Sequence, residues 1–308
     1  MAERAPESSA RLLAGAPIAA EIRASVKADV DRFIKRYAYP PTLAVVLVGR
    51  DAPSTVYLEQ ILKGCRTVGI RGRMVEISGR VSADGLRREI AALNEDPLVS
   101  GIIVQMPLPK RIPLAAVLDT LDPAKDVDGI HPRNAGLLAL GYDGFLPTTA
   151  QAAVEILHRS GVPLAGRHAV VIGRSNVVGK PVANLLLRDD ATVTVCHSKT
   201  PDLERYTREA DVIIVAAGRP GIVDGPMVKP GAVVVDVGIN VVGDRLTGDV
   251  DFDTVKTVAS AITPVPGGVG PVTNALLLTH VVIAAQAQAR DRRGRPVSLS
   301  IAKGRSRT

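Results

Sequence analysis

The chain has 308 residues, 46% hydrophobic and 22% charged, with a formal net charge of +7, the make-up of a soluble globular protein long enough for two cores. The charge is concentrated: from Arg290 onward seven basic residues (Arg290, Arg292, Arg293, Arg295, Lys303, Arg305, Arg307) face one acid, Asp291, so residues 291–308 read as a solvated basic tail. Only 3% of residues are aromatic and no zinc or recognition-helix pattern occurs, so neither a nucleic-acid partner nor a metal is expected.

Met1 to Ala10 is charged and lacks the apolar stretch of a secretion signal. Apolar runs are read as far below a membrane span. The expectation is a cytoplasmic protein with no membrane partner. Ile18, Ile22, Val26, Val30 and Phe33 repeat at the spacing of one helix face over Pro17–Arg36. Thr42–Val48 is a buried strand stopped by Gly49, and Pro53–Val68 is a helix begun near Ser54 and ended by Gly69. Met74–Ile77 is a strand, Ser82–Asn94 a helix capped by Ser82, and Gly101–Gln105 a strand cut off by Pro107. This first half is a βαβ layer of its own.

Leu121–Gly144 is a looser region containing Lys125-Asp-Val-Asp-Gly-Ile-His-Pro132, and Thr148–Arg159 is a helix. The buried strand Ala169–Ile172 then runs through Gly173 into a helix continuing over Pro181–Leu187. Gly173 and Gly179 read as positions where the backbone comes close to a ligand, and the opening helix suits a phosphate. The spacing is G-x5-G rather than G-x-G-x-x-G, a weak signal alone. Ala191–Cys196 is the next strand, and where an NAD binder carries an acid for the ribose hydroxyl this chain has Ser198 and Lys199. With Arg174 in the first turn, these suit a 2′-phosphate and therefore NADP. Val212–Ala216 and Ala232–Val237 complete a parallel sheet, and an apolar helix from Val272 to about Gln288 follows a Pro- and Gly-rich loop. Cys65 and Cys196 read as buried, reduced thiols.

The fold class is α/β, with two domains that each carry a mostly parallel sheet, the C-terminal one Rossmann-like and NADP-binding. The expected limits are 1–147 with 275–290 for the first domain and 148–274 for the second. A cleft between such domains can hold a nucleotide against a second small molecule, the arrangement that hydride transfer needs. Tyr57 is either a ring for stacking or a core tyrosine. Gln105 either binds an amide-like edge or only ends a strand. Asp126 and Asp128 are either a turn-capping pair or include one carboxylate aimed at the cleft.

Gly101-Ile-Ile-Val-Gln-Met-Pro-Leu-Pro109, Lys125–Pro132, Val171-Ile-Gly-Arg-Ser-Asn-Val-Val-Gly-Lys-Pro181, Cys196-His-Ser-Lys-Thr200, Asp236-Val-Gly-Ile-Asn240 and Pro264-Val-Pro-Gly-Gly-Val-Gly-Pro271 resemble the signatures of bifunctional methylenetetrahydrofolate dehydrogenase/cyclohydrolase, the FolD family. The resemblance implies a homodimer that oxidises 5,10-methylenetetrahydrofolate with NADP and hydrolyses the methenyl product to 10-formyltetrahydrofolate. It also implies that Gly173, Arg174, Ser175, Ser198 and Ile239 contact NADP, that Tyr57 stacks on the folate ring, that Gln105 and Asp128 hold the pterin side, and that Pro271 lines the cleft. Tyr57, Gln105 and Asp128 are thus the candidate catalytic residues.

Two positions depart from the family pattern. The family's catalytic Lys, four residues after the Tyr, is here Ile61, and Lys63 lies roughly 120° around the helix from Tyr57. The junction reads Pro147-Thr148-Thr149-Ala150-Gln151-Ala152 in place of Pro-Cys-Thr-Pro-x-Gly. Hydride transfer can proceed without the lysine, whereas hydrolysis needs a proton shuttle. The leading expectation is a dehydrogenase with reduced or lost cyclohydrolase activity. The alternatives are a fully bifunctional enzyme, a non-catalytic folate or NADP binder, and an enzyme for a related one-carbon adduct.

Overall fold

The computed structural model describes residues 10–49, 52–243 and 245–291. Side chains of residues 52–57, 290 and 291 are not among those described. The side chain of Tyr57 and the basic tail past Asp291 therefore lie outside the described part. In chain order the elements are β1 (Arg11–Leu12), α1 (Gly15–Tyr37), β2 (Thr42–Val48), α2 (Ala52–Val68), β3 (Arg71–Ile77), α3 (Ala83–Glu95), β4 (Gly101–Val104), α4 (Ala115–Leu118), α5 (Pro132–Ala139) and α6 (Thr148–Arg159). They continue with β5 (His168–Ile172), α7 (Gly179–Arg188), β6 (Thr192–Cys196), α8 (Leu203–Thr207), β7 (Val212–Val215), β8 (Val233–Asp236), β9 (Asn240–Val242), β10 (Arg245–Thr247), α9 (Phe252–Val255), β11 (Ala261–Ile262) and α10 (Val269–Asp291).

Among the described residues, one compact unit comprises Ala20–Thr148 and Asn274–Asp291. Its three-stranded sheet has the order β3-β2-β4, all parallel. Every residue of the central strand β2 is buried, which explains its unbroken apolar run: a strand covered on both faces has no solvent side to alternate toward. Helix α3 closes one face with Leu86, Ile90 and Leu93 against Ala44, Val46 and Ile102. Ser82 caps its start, accepting from the Gly85 amide at 3.0 Å. Gly69, with φ of +84°, ends α2 in the left-handed conformation that glycine adopts cheaply.

The other unit comprises Thr149–Thr273 and Ala10–Ala19. Its six strands run in the order β1-β11-β8-β7-β5-β6, all parallel. The chain steps from β5 to β6 on one side and then to β7 on the other, so its direction reverses between β5 and β7. The carboxyl ends of strands at such a reversal form the ligand crevice of open α/β sheets.

Several features differ from the expectations. Strand β1 has only two residues and pairs with β11, so residues 10–19 belong to the second unit rather than the first. The region Leu121–Gly144 contains α5, short but well signalled by Pro132 at its first turn and by the His131 cap. Strands β9, β10 and β11 are additional. Val269–Ala289 is long and apolar enough to cross a membrane by length and composition, contrary to the expectation of no such run; 67% of that stretch is buried inside the protein. A helix apolar all round is accounted for by such burial.

Candidate active site

In the first unit the site is built where β4 and the segment beside it end. The Ile102 amide donates to the Lys125 carbonyl at 2.8 Å, and Ile102 pairs with Asp126 in a parallel bridge. By that register Asp128 emerges at the same sheet end as Gln105, whose own amide donates to Val46. Gln105 is half-buried and its Nε2 donates to the Met106 carbonyl at 2.8 Å. That bond uses one amide hydrogen, so the side chain keeps hydrogen-bonding capacity for a ligand.

The structure separates the two aspartates. Asp126 is fully buried and accepts from the amides of Ile130 (3.1 Å) and His131 (2.8 Å) and from Asn134 Nδ2 (2.8 Å). It closes the turn that leads into α5. Asp128 is half-buried, and its Oδ1 accepts from the Thr148 hydroxyl. Burial pushes its carboxyl up to about 7, the Thr148 bond opposes this, and the charge of Asp126 adds to it. A carboxyl poised there can hold or release a proton near neutral pH.

The turn carrying Asp128 is fixed from several sides. Lys125 Nζ donates to the carbonyls of Leu93 (3.1 Å), Asn94 (2.6 Å) and Asp96 (2.8 Å), placing a cation on the carboxyl end of α3. Gly129 has φ of +70°, and a Cβ there would stand 2.3 Å from the Leu146 carbonyl carbon. His280 of α10 is buried and donates from Nδ1 to the Val127 carbonyl at 2.8 Å, while its Nε2 has no partner among the described residues. Burial lowers its ring to about 4, so it is neutral. Thr148 and His280 escape sequence reading because both bonds are long-range contacts between elements.

Ile61, the fourth residue after Tyr57, is completely buried, and Lys63 is exposed. Neighbouring Cys65 is also buried, and burial pushes its thiol up to about 12, so it is inert.

In the second unit the residues expected to meet a nucleotide gather at adjacent strand ends. Ile172 pairs with Cys196, and the Gly173 amide donates to the Cys196 carbonyl at 2.8 Å. Gly173-Arg174-Ser175 and Ser198-Lys199 therefore leave the sheet side by side. Arg174, Ser175, Ser198 and Lys199 are all exposed, a cationic and hydroxyl-bearing set that fits a ribose 2′-phosphate. Ser175 Oγ accepts from the amides of Val178 (3.1 Å) and Gly179 (3.4 Å) at the start of α7; its own hydroxyl hydrogen is not used in those bonds. Ile239, 68% exposed, follows β8 two strands from β5. Pro271 is half-buried in the first turn of α10.

The two glycines also serve the packing of the backbone. A Cβ on Gly173 would lie 2.2 Å from the Ala216 carbonyl oxygen, and one on Gly179 would lie 2.1 Å from the Gly173 carbonyl oxygen. Both let backbone approach backbone, Gly173 against the end of β7 and Gly179 against the turn itself.

The profile of the tetrahydrofolate dehydrogenase/cyclohydrolase catalytic domain matches residues 13–128, and that of the family's NAD(P)-binding domain matches residues 147–289. A bifunctional FolD protein of Roseiflexus is 48% identical over 285 residues, covering 92% of this chain and 99% of that protein. The crystal structure of FolD from Campylobacter jejuni has 44% identity and a TM-score of 0.88 over 90% of this chain and 99% of its own. The Trypanosoma brucei dehydrogenase-cyclohydrolase, complexed with NADP cofactor and inhibitor, has 38% identity and a TM-score of 0.89 over 92% and 99%.

Proposed function

This chain belongs to the tetrahydrofolate dehydrogenase/cyclohydrolase family, and from that premise we propose that it oxidises 5,10-methylenetetrahydrofolate with NADP while its cyclohydrolase activity is reduced or lost. The observation that carries the second half is Ile61: fully buried and apolar, it occupies the position of the catalytic lysine in the family pattern.

NADP supplies the hydride acceptor. The chain's residues bind and orient. Arg174, Ser198 and Lys199 take the 2′-phosphate. Ser175 and the turn from Gly173 hold the dinucleotide, with Ile239 against it. Gln105 and Asp128 hydrogen-bond the pterin edge, Tyr57 stacks on the ring, and Pro271 contacts the substrate. Asp128 can hold a proton against a ring nitrogen and release it as substrate charge changes. None of these roles needs an amine at position 61. Hydrolysis of the methenyl bridge does need water activated and a proton carried to the opening ring. A positioned acid–base group is worth roughly 10²–10⁴-fold in such a step, so hydrolysis is expected to fall by about that factor.

A second reading keeps both activities. It is favoured by Asp128, whose carboxyl is pushed up to about 7 chiefly by burial, the range in which a carboxyl can shuttle the proton itself. Ile61→Lys separates the two readings. Restored or increased hydrolysis supports the missing-base reading, whereas unchanged hydrolysis in a folded variant defeats it.

We also propose a homodimer. Ile239, Val241, Val242 and Leu246 on and beside the β9–β10 hairpin are 68%, 68%, 56% and 50% exposed, an apolar cluster that a second copy would cover. Sedimentation of Val241→Asp against the parent tests this, with a monomer expected for the variant.

A further inference from the structure

The carboxyl end of β7 backs the nucleotide turn, and a buried acid outside the turn motifs holds it in place. The Ala216 amide donates to the Ile172 carbonyl at 2.8 Å, and Gly173 lies so close to the Ala216 carbonyl that any Cβ would collide with it. The three residues after Ala216 all point their amides at one carboxylate. Asp249, fully buried, accepts at Oδ2 from Ala217 (2.6 Å) and Gly218 (2.8 Å), and at Oδ1 from Arg219 (2.9 Å). Asn240 Nδ2 adds a fourth bond to Oδ1 at 2.8 Å.

Successive amides converging on a point form the kind of concavity that binds phosphate in other proteins. Here the chain's own anion fills it. A second acid fixes the first: Asp236, at the end of β8, accepts from the amides of Gly238 (2.9 Å), Asp249 (3.0 Å) and Val250 (2.9 Å). Glycine is required on both sides of this pair. A Cβ on Gly238 would stand 2.2 Å from Asp249 Cγ, and one on Gly248 would stand 1.8 Å from Asp236 Oδ2.

We propose that Asp249 is a positioning residue for the dinucleotide: its carboxylate fixes residues 217–219 as the β7 wall of the crevice and, by occupying their amides, reserves the turn after β5 for the phosphates. The inference rests on the reading of this unit as the NADP-binding one. It concerns cofactor binding alone, because every bond in the network lies within that unit.

Asp249→Asn in the full chain keeps the volume and removes the charge. Each oxygen accepts two of the four bonds, so the new NH2 group faces two donors whichever oxygen it replaces, and two bonds are lost. The NADP Kd is read by isothermal titration calorimetry, with the KM for 5,10-methylenetetrahydrofolate alongside. The expected result is an NADP Kd raised tenfold or more with the folate KM held within twofold. An unchanged NADP Kd, or an equal rise in both constants, overturns the inference. If Asp249→Asn does not fold, Asn240→Ala removes one donor and leaves the carboxylate; a rise of about threefold in NADP Kd is then expected, and none overturns the inference. Parent protein that binds no NADP would instead defeat the reading beneath it.

Discussion

His280 Nδ1 donates to the carbonyl oxygen of Val127 at 2.8 Å, joining residues 153 positions apart in sequence, and Val127 is the residue before Asp128. The ring also packs against Phe145 with centroids 5.3 Å apart. Nδ1–H donates in either protonation state; the ring is kept neutral by burial, which lowers it to about 4 against the opposing effect of the Val127 bond. Since the unfolded chain protonates near 6.5 and the folded one near 4, the stability from this group is complete above about 6.5 and is lost as pH falls from 6.5 to 4. The loss amounts to about 3 kcal/mol across the window. Thermal melts from pH 7 to pH 4 are expected to fall more steeply for the parent than for His280→Asn.

Asp128 has the opposite sign. Its folded carboxyl sits at about 7 against an ordinary carboxylate's 3.8, so its contribution to stability is complete below about 4 and is lost as pH rises through 7. Asp128→Asn, which can still accept from Thr148, is expected to lose less stability than the parent between pH 5 and pH 8. If Asp128 also holds the substrate proton, the parent's dehydrogenase kcat/KM has an inflection near pH 7 that disappears in the variant. An identical profile in both would remove Asp128 from the chemistry.

Gly129→Ala tests the wall behind Asp128. The added methyl meets the Leu146 carbonyl carbon at 2.3 Å and the Pro147 nitrogen at 2.5 Å, at a φ of +70°. Backbone cannot move aside as a flexible side chain can, so a cost on the order of 2–4 kcal/mol is expected. Urea titration of the variant checks it, and a midpoint equal to the parent's would contradict the packing described.

Arg174→Ala tests the choice of cofactor. Arg174 follows the end of β5 beside the β6 end that leads to Ser198 and Lys199, and only NADP has a 2′-phosphate to offer such a set. The KM for NADP is expected to rise at least tenfold while that for NAD changes little. Equal loss for both would refute the 2′-phosphate assignment.

The central strands of both sheets could be read directly because parallel strands buried on both faces are continuous apolar runs, as Leu43–Val48 and Ala169–Ile172 are, whereas the two-residue strands β1 and β11 are too short to show a pattern. The identities at the nucleotide turn could be read too, since Arg174 and Ser198 emerge from consecutive strands. Asp126 and Asp128 could not be told apart. Two carboxylates two residues apart look alike until their partners are known: Ile130, His131 and Asn134 for one, and Thr148, twenty residues on, for the other. Asp249 carries no motif at all, because what defines it is three amides some thirty residues away. The β9–β10 hairpin was signalled by Gly-Asp between Val241-Val242 and Arg245-Leu246, a two-residue turn pattern whose strands are too short to stand out.

We propose that this family member oxidises the methylene bridge and lacks the base for hydrolysis. Purified protein with 5,10-methylenetetrahydrofolate and NADP, followed in time for NADPH and for the methenyl product separately, tests it directly. The account predicts methenyl product accumulating one-for-one with NADPH and decaying only at its spontaneous rate. Enzyme-dependent conversion to 10-formyltetrahydrofolate that keeps pace with NADPH would contradict it and point to Asp128 or another group as the working base.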